Sequence, residues 1–441
     1  MSDPAVHEFL ESWRGVTPLP GAPWFAPQRA AAQQAFHARG FPTLRDEDWK
    51  YTDVRAIASR RFGSGAVVAV DAGLAAAASF AAAGAHELLF LNGQFTPATR
   101  AAPSLPAGVL AMPISVADAG RNDSLSAHLG RYADINKHGF LALNTALAGD
   151  GALIFIPDGV EVTIPISLLF ASAAGPQPTG TCPRNLIILG RNAAATVIEC
   201  YTGADGGEYL TNAVTEVRLG AGARLEHYRL QQEGNRAYHL GNLSVLQDQD
   251  SQLVSHAFAL GAVLARNEID VRLAARGAQV SLNGLYVAGE RQHLDNHTRI
   301  DHEQPHTTST EHYRGVLTGR ARAVFNGKVI VHKDAQKSDA RQVNANLLLS
   351  DDAEVDTKPE LEIYADDVKC SHGATIGRLD DNMLFYLRTR AIPEAVARSL
   401  LIYAFADEVI QPIGFAPIRA RLEQRVLGRL PDADVIREFV Q

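Results

Sequence analysis

The sharpest chemical signal in the chain is Cys370-Ser371-His372. Residues two apart on an extended segment share a face, so a strand over Val368 to His372 would bring a thiolate and an imidazole to one side. A soft and a borderline ligand side by side suit iron, zinc or the edge of an iron–sulfur cluster. Two ligands make half a site, and the missing half would come from a second chain. The same residues read equally well as a buried thiol and a hydrogen-bonded imidazole ahead of a turn at Gly373. The other cysteines, Cys182 and Cys200, read first as small buried apolar residues, with a redox or sulfur-transfer role for Cys200 the lesser reading. Three cysteines exclude a disulfide framework, a self-contained cluster cage and a zinc ribbon.

Histidine is concentrated: His293, His297, His302, His306, His312 and His332 fall close together among the 15 in the chain. Their spacings repeat no ligand motif, so structural or interface roles are expected ahead of metal ligation. The pairs Asp366-Asp367 and Asp380-Asp381 sit at turn positions. No Gly-x-Ser-x-Gly elbow occurs. Gly327-Lys328 fails as a nucleotide loop, because Arg322 stands where its first glycine belongs and Val329 where Ser or Thr belongs. Gly203, Gly206 and Gly207 lack the helix that a dinucleotide fingerprint needs, so no flavin or nicotinamide site is indicated.

The elements that must hold Cys370 and His372 fall into three zones: a helical and mixed region over 1–150, a strand-rich core over 151–375 and a helical region over 376–441. Gln28 to Arg39, between Pro27 and Gly40, reads as a short helix, and Leu88 to Gly93 as a strand meeting a turn. From 151 to about 370, short alternating apolar runs recur between Gly, Asp and Asn turns with almost no helix. A turn followed by small-x-apolar recurs at Gly222-Ala223-Arg224-Leu225, Asp250-Ser251-Gln252-Leu253, Gly277-Ala278-Gln279-Val280 and Asp352-Ala353-Glu354-Val355. Asn283-Gly284 is echoed by Asn326-Gly327. These intervals favour a β-solenoid over a Greek-key sandwich. Apolar residues at three-to-four spacing then predict helices over Asp381–Thr389, Pro393–Ile410 and Pro417–Leu427, either capping the solenoid or presenting a docking surface.

Composition sets the outer limits. The chain has 441 residues with formal net charge −8, 46% hydrophobic and 20% charged, which fits a globular protein and argues against a nucleic-acid backbone binder. Met1-Ser2-Asp3-Pro4 shows no secretory pattern and Leu74 to Gly84 is too short to span a membrane. A soluble cytoplasmic protein is expected.

Several blocks, in order, resemble one family. They are Asp48-Trp49-Lys50-Tyr51-Thr52, His306-Thr307-Thr308-Ser309, Tyr313-Arg314-Gly315-Val316, Phe325-Asn326-Gly327-Lys328, Asp367 to Gly377, and Leu384-Phe385-Tyr386-Leu387-Arg388-Thr389-Arg390. Together they resemble the SufB/SufD family of iron–sulfur cluster assembly proteins. Gly373 follows His372 where SufB-type chains carry Glu, and Ala353 stands where their scaffold cysteine precedes Thr-x-Pro, here Thr357-Lys358-Pro359. Both departures put the resemblance on the SufD side.

That resemblance implies a mainly β fold, a right-handed parallel β-helix flanked by helical regions. It implies a non-enzymatic scaffold subunit paired with SufB through the β-helices, with the ATPase SufC docked on helices 382–427. His372, with Cys370 as accessory, would contribute to a transient iron–sulfur cluster shared with SufB, and the isolated chain would hold no cofactor and could pair with itself. A purely structural partner that ligates nothing is the alternative. A β-helix carbohydrate-active enzyme is a more distant one, disfavoured by weak carboxylate clustering.

Overall fold

A computed structural model describes residues 4–13, 23–64, 69–97, 101–117 and 123–429. The expectation placed on Met1-Ser2-Asp3 lies outside them. The N-terminal part carries helices α1 (Pro4–Ser12), α2 (Ala26–Arg39), α3 (Arg55–Ala58), α4 (Ala72–Ala78), α5 (Asp123–His128) and α6 (Gly139–Leu147), with short strands β1 (Gly63–Ser64), β2 (His86–Leu91), β3 (Gln94–Thr96) and β4 (Leu110–Pro113). Helix α2 stops where expected, at Gly40 with φ +71°, the left-handed geometry that glycine accepts without strain.

The core then runs through β5 (Ala152–Ile156), β6 (Ile166–Ser172), β7 (Thr179–Thr181), β8 (Arg184–Leu189), β9 (Ala194–Gly203), β10 (Tyr209–Leu219), β11 (Arg224–Gln232), β12 (Tyr238–Gln247), β13 (Gln252–Ala259), β14 (Leu264–Leu273), β15 (Gln279–Ala288), β16 (His293–His302), β17 (Thr308–Leu317), β18 (Arg322–Val331), β19 (Asp339–Leu348), β20 (Glu354–Ile363) and β21 (Lys369–Gly377). Its strands fall alternately into two sheets. One is ordered β20-β18-β16-β14-β12-β10-β8-β5-β4, the other β21-β19-β17-β15-β13-β11-β9-β6-β2-β3. Neighbours along the core are parallel and in register, so Leu264 stands beside His293 and His293 beside Arg322. This is a β-solenoid of about eight turns.

Stacking coils on one another places equivalent residues in rows. Leu225, Leu253 and Val280 lie side by side on β11, β13 and β15 and belong to one buried cluster between the sheets; each such side chain removed from water contributes roughly 1.5–3 kcal/mol. Corners stack as well. Asn192, Gly222, Asp250, Gly277, His306 and Lys337 each take a positive φ just before a strand of the second sheet, and backbone N–H groups link one corner to the next, as from Gly277 to Pro305 and from His306 to Gln336. Asn, Asp and His tolerate that conformation better than most residues, and His306 is spent on it.

One expectation from the repeat needs correcting. Asp352-Ala353-Glu354-Val355 is not a further turn of the row that holds Leu225, Leu253 and Val280. Val355 pairs with Ala323 in the other sheet. Both sheets enter their strands through a turn, a small residue and an inward apolar side chain, so the motif does not distinguish them. The echoed pairs Asn283-Gly284 and Asn326-Gly327 fall in different sheets too. They lie within β15 and β18, where a Cβ on Gly284 would overlap the Tyr313 ring and one on Gly327 the Gln342 amide.

Flanking elements cover both outer faces. Phe36, Trp49, Phe140 and Leu143 pack on Leu210, Leu240 and Leu264 of the first sheet. Three C-terminal helices follow, α7 (Asp381–Thr389), α8 (Glu394–Ile410) and α9 (Ala416–Leu427). Ile402, Ala406, Val409, Ile418, Leu422 and Val426 from α8 and α9 pack on Cys200, Tyr228, Leu230, Leu285 and Val287 of the second sheet. These helices flank the solenoid and leave its last coil uncovered.

Candidate functional site

Strand β21 ends the second sheet, and β20 ends the first. Each pairs on one side only among the described residues, β21 with β19 and β20 with β18. Strand alternation decides which way their side chains point. Cys370, His372, Ala374 and Ile376 stand beside Ala340, Gln342, Asn344 and Asn346, which are buried at 1%, 1%, 1% and 3% exposure. The thiol and the imidazole therefore share the lumen-facing side of the last strand, at the open mouth of the solenoid. Cys370 packs against the edge of the core cluster and is half-buried, whereas His372 is exposed.

Apolar residues surround the mouth. Ile363, Tyr364 and Ile376 are 42%, 62% and 50% exposed, and Val355 and Leu361 pack only partly on the core. The end of the solenoid is a cross-section of its own interior. Burial, and next the charge of Asp339, pushes the Cys370 thiol above its ordinary value, so at neutral pH it carries its proton until a cation displaces it. No group of three His, Cys, Asp or Glu among the described residues is arranged to hold a metal ion. Cys370 and His372 offer two ligands.

Behind the mouth the lumen is polar. Asn346 Nδ2 donates to Asn344 Oδ1 at 2.6 Å, Asn344 Nδ2 to Tyr286 Oη at 3.0 Å, and Thr357 Oγ1 to Asn344 Oδ1 at 2.9 Å. Gln342 donates its amide N–H to Glu311, whose carboxyl burial pushes up to about 7 against the hydrogen bonds from Thr298 and Gln342. Deeper still, Glu199 accepts from Tyr201 Oη at 2.8 Å, with His227 at 3.2 Å and Arg229 at 3.3 Å. Sequence reasoning missed this interior. Its signal was available as polar residues at positions that alternation assigns to the inside.

The remaining candidates are dispersed. His302 is buried in the lumen between Thr307 and Ser309 at 2.8 Å each, and burial lowers its pKa to about 4. His293 faces Thr52 at 2.8 Å, His297 faces Asp295 at 3.0 Å, and His332 faces Asp301 at 3.0 Å. Burial pushes Cys200 up to about 12 under the C-terminal helices, and Cys182 is buried on the opposite flank.

Thr52 Oγ1 also donates to Asp295 Oδ2 at 2.5 Å, and Trp49 lies 3.8 Å under the Arg266 guanidinium. Arg266 in turn bridges Glu268 and Asp295. The Asp48 to Thr52 block is thereby a clamp that fastens the N-terminal part to the solenoid. Burial alone would raise the Glu268 carboxyl, but His138, Lys137 and Arg266 together hold it well below the usual range.

Comparison with known proteins finds relatives along most of the chain. Residues 170–405 match the family described as "SUF system FeS cluster assembly, SufBD core domain", and residues 19–168 match the "SufBD protein N-terminal region". An iron–sulfur cluster assembly SufBD family protein of Synechocystis sp. is 34% identical over 91% of this chain and 90% of its own length. The iron–sulfur cluster assembly protein SufD of Escherichia coli is 30% identical over 92% and 93%, and that of Bacillus subtilis 25% identical over 65% and 66%. No helix among the described residues is long and apolar enough to cross a membrane. With both family regions matched in order around a two-sheet solenoid, the chain belongs to the SufBD family, and its role lies in iron–sulfur cluster assembly.

Proposed function

We propose that this chain is a scaffold subunit whose open solenoid end docks a second family member of the SufB type, and that His372, with Cys370 beside it, contributes ligands to a nascent cluster held between the two. One observation carries the reading: the lumen-facing thiol and imidazole stand on an edge strand whose outer side is unpaired among the described residues, ringed by exposed apolar side chains. A long free edge with an apolar rim is a template for pairing, and two ligands call for complements from the partner. Iron and sulfide are the cargo, and the chain's part is to position ligands and exclude water rather than to turn over a substrate.

The helices over 382–427 are the proposed dock for the ATPase SufC, centred on α7. Met383, Phe385 and Tyr386 on that helix are 56%, 69% and 57% exposed, while the buried faces of α8 and α9 are spent on the second sheet. Helix α7 follows β21 directly, and Arg314 of β17 pairs with Glu408 of α8. A nucleotide-driven movement of SufC therefore has a short mechanical path to the strand that bears His372, provided it contacts two states of the interface differently.

The test is anaerobic reconstitution with the SufB-type and SufC partners, followed by visible absorption. His372→Ala should assemble normally on size exclusion yet yield several-fold less cluster. Wild-type yield from that variant would leave a purely structural partner as the correct reading.

A further inference from the structure

The ladder behind His372 continues inward at the same position on each strand: His372 beside Gln342, and Gln342 beside Glu311. Gln342 and Glu311 are only 1% and 2% exposed. Gln342 crosses the lumen over Gly327, where any Cβ would overlap its amide. Its Nε2 group donates to Glu311 Oε2, which turns the carbonyl end of the amide away from Glu311. That carbonyl, Gln342 Oε1, is buried and has no hydrogen-bond partner.

On its own strand the lumen-facing neighbours are Ala340, without a polar side chain, and Asn344, whose Nδ2 is directed to Tyr286 and the Tyr313 carbonyl. On β21 the adjacent lumen-facing positions are Cys370 and Ala374. Across the lumen Thr298 is spent on Glu311 and Thr357 on Asn344, and the Tyr313 ring lies inward over Gly284; one rung outward on the same row stands the imidazole of His372.

We infer that Gln342 and Glu311 are positioning residues for His372: Glu311 fixes the Gln342 amide, and Gln342 Oε1 accepts one ring N–H of His372. A neutral imidazole has one N–H and one lone pair, and the partner of the N–H decides which nitrogen presents the lone pair. Held this way, the free nitrogen of His372 faces the mouth, where the cargo is assembled. The functional consequence rests on the ligand role proposed above for His372, but the tautomer lock does not.

The test uses the full chain labelled with ¹⁵N-histidine, at a pH where the ring is neutral, with the His372 resonances assigned by their loss in His372→Asn. The wild-type ring is expected in one tautomer by roughly tenfold or more. Gln342→Met, close in volume, and Glu311→Leu should return it to the distribution of free histidine. Glu311→Gln keeps an acceptor for the Gln342 amide and should preserve the lock. In the reconstitution, Gln342→Met should weaken metal retention roughly 10–100-fold, the range for partners that orient a metal-binding histidine. A free-histidine distribution in the wild-type chain overturns the inference even where a variant fails to fold, as does an unchanged spectrum in Gln342→Met. Normal cluster yield from His372→Ala with the tautomer still locked would instead overturn the ligand role alone.

Discussion

The two ends of the solenoid are built oppositely. At the first coil the chain reverses direction: β3 runs antiparallel to β2, and β4 antiparallel to β5. Phe95, Leu105 and Val109 pack over the core there, and His86 Nδ1 meets the Pro103 carbonyl at 2.9 Å. Phe90 and Ile154 are fully buried. At the last coil the parallel ladder simply stops, and Ile363 and Ile376 are about half exposed. A repeat fold must deal with both of its ends, and this one finishes the first within the chain. The second carries Cys370 and His372. On the reading proposed above, stability and assembly are segregated along the axis, and substitutions toward the first end should cost folding while those at the second cost assembly.

The largest effect expected lies toward the closed end, at Glu216. It is fully buried, lies 2.7 Å from the Arg184 guanidinium, and accepts from the backbone N–H groups of Gly130, Tyr132 and Ala133 at 2.7, 2.6 and 3.0 Å. Glu216→Leu strands a buried cation and those donors together, and should cost about 3–5 kcal/mol or more in urea unfolding. A loss under 1 kcal/mol would break the contrast between the ends.

Glu311, closer to the mouth, gives a smaller and pH-dependent effect. Its carboxyl is raised by burial from 4.5 to about 7, so between those values the folded chain keeps a proton that the unfolded chain has lost. Wild-type stability therefore falls as pH rises through that window, and the full cost is present above it. Glu311→Gln has no proton to lose. Its stability relative to wild type should grow from its value near pH 4.5 by about 1–3 kcal/mol above pH 7, read from unfolding curves at both. A difference that does not change with pH would show the carboxyl to be ionised in the folded chain.

Smaller again is Asp380→Ala. The Asp380 carboxylate accepts from the N–H groups of Asn382 and Met383 at 2.8 and 3.3 Å, capping α7, and its loss should cost that helix about 1 kcal/mol. Helix α7 packs chiefly on α8, so the change should appear as faster amide exchange in α7 with the global transition unmoved, and as weaker SufC capture. Unchanged exchange would show the cap to be idle, and faster exchange with undiminished SufC capture would remove α7 from the dock.

These contrasts were only partly legible in the sequence, for physical reasons. The coil interval could be read because every coil needs a corner, a small residue and an inward apolar side chain, as at Gly222 to Leu225. Which sheet a given unit joins could not, because Val280 and Val355 sit in the same local pattern but different ladders. The stripes of α8 and α9 announce a buried face but not its partner, which proved to be the flank of the second sheet. That Cys370 and His372 share a face follows from their spacing of two; that this face is the lumen follows only from their register with Ala340 and Gln342. Glu199, His227 and Arg229 were overlooked because polar side chains inside a solenoid interrupt the alternation by which strands are recognised.

The smallest effect on folding, and the sharpest test of the open end, is expected from Ile376→Lys. Ile376 is 50% exposed on an edge strand, where lysine is a natural residue for discouraging strand pairing. The isolated chain should unfold within about 0.5 kcal/mol of wild type. A buried lysine at the centre of a partner interface would lose its solvation without gaining a counter-charge, so co-elution with a SufB-type partner on size exclusion should be lost, while SufC capture through α7 is retained. The same variant would disrupt self-association at this end, which sedimentation of the isolated chain reads directly. Normal pairing with the partner would place that interface elsewhere on the solenoid and leave the exposed cross-section without an occupant, whereas loss of pairing with unchanged stability would confirm that the chain leaves its last coil open for another protein to complete.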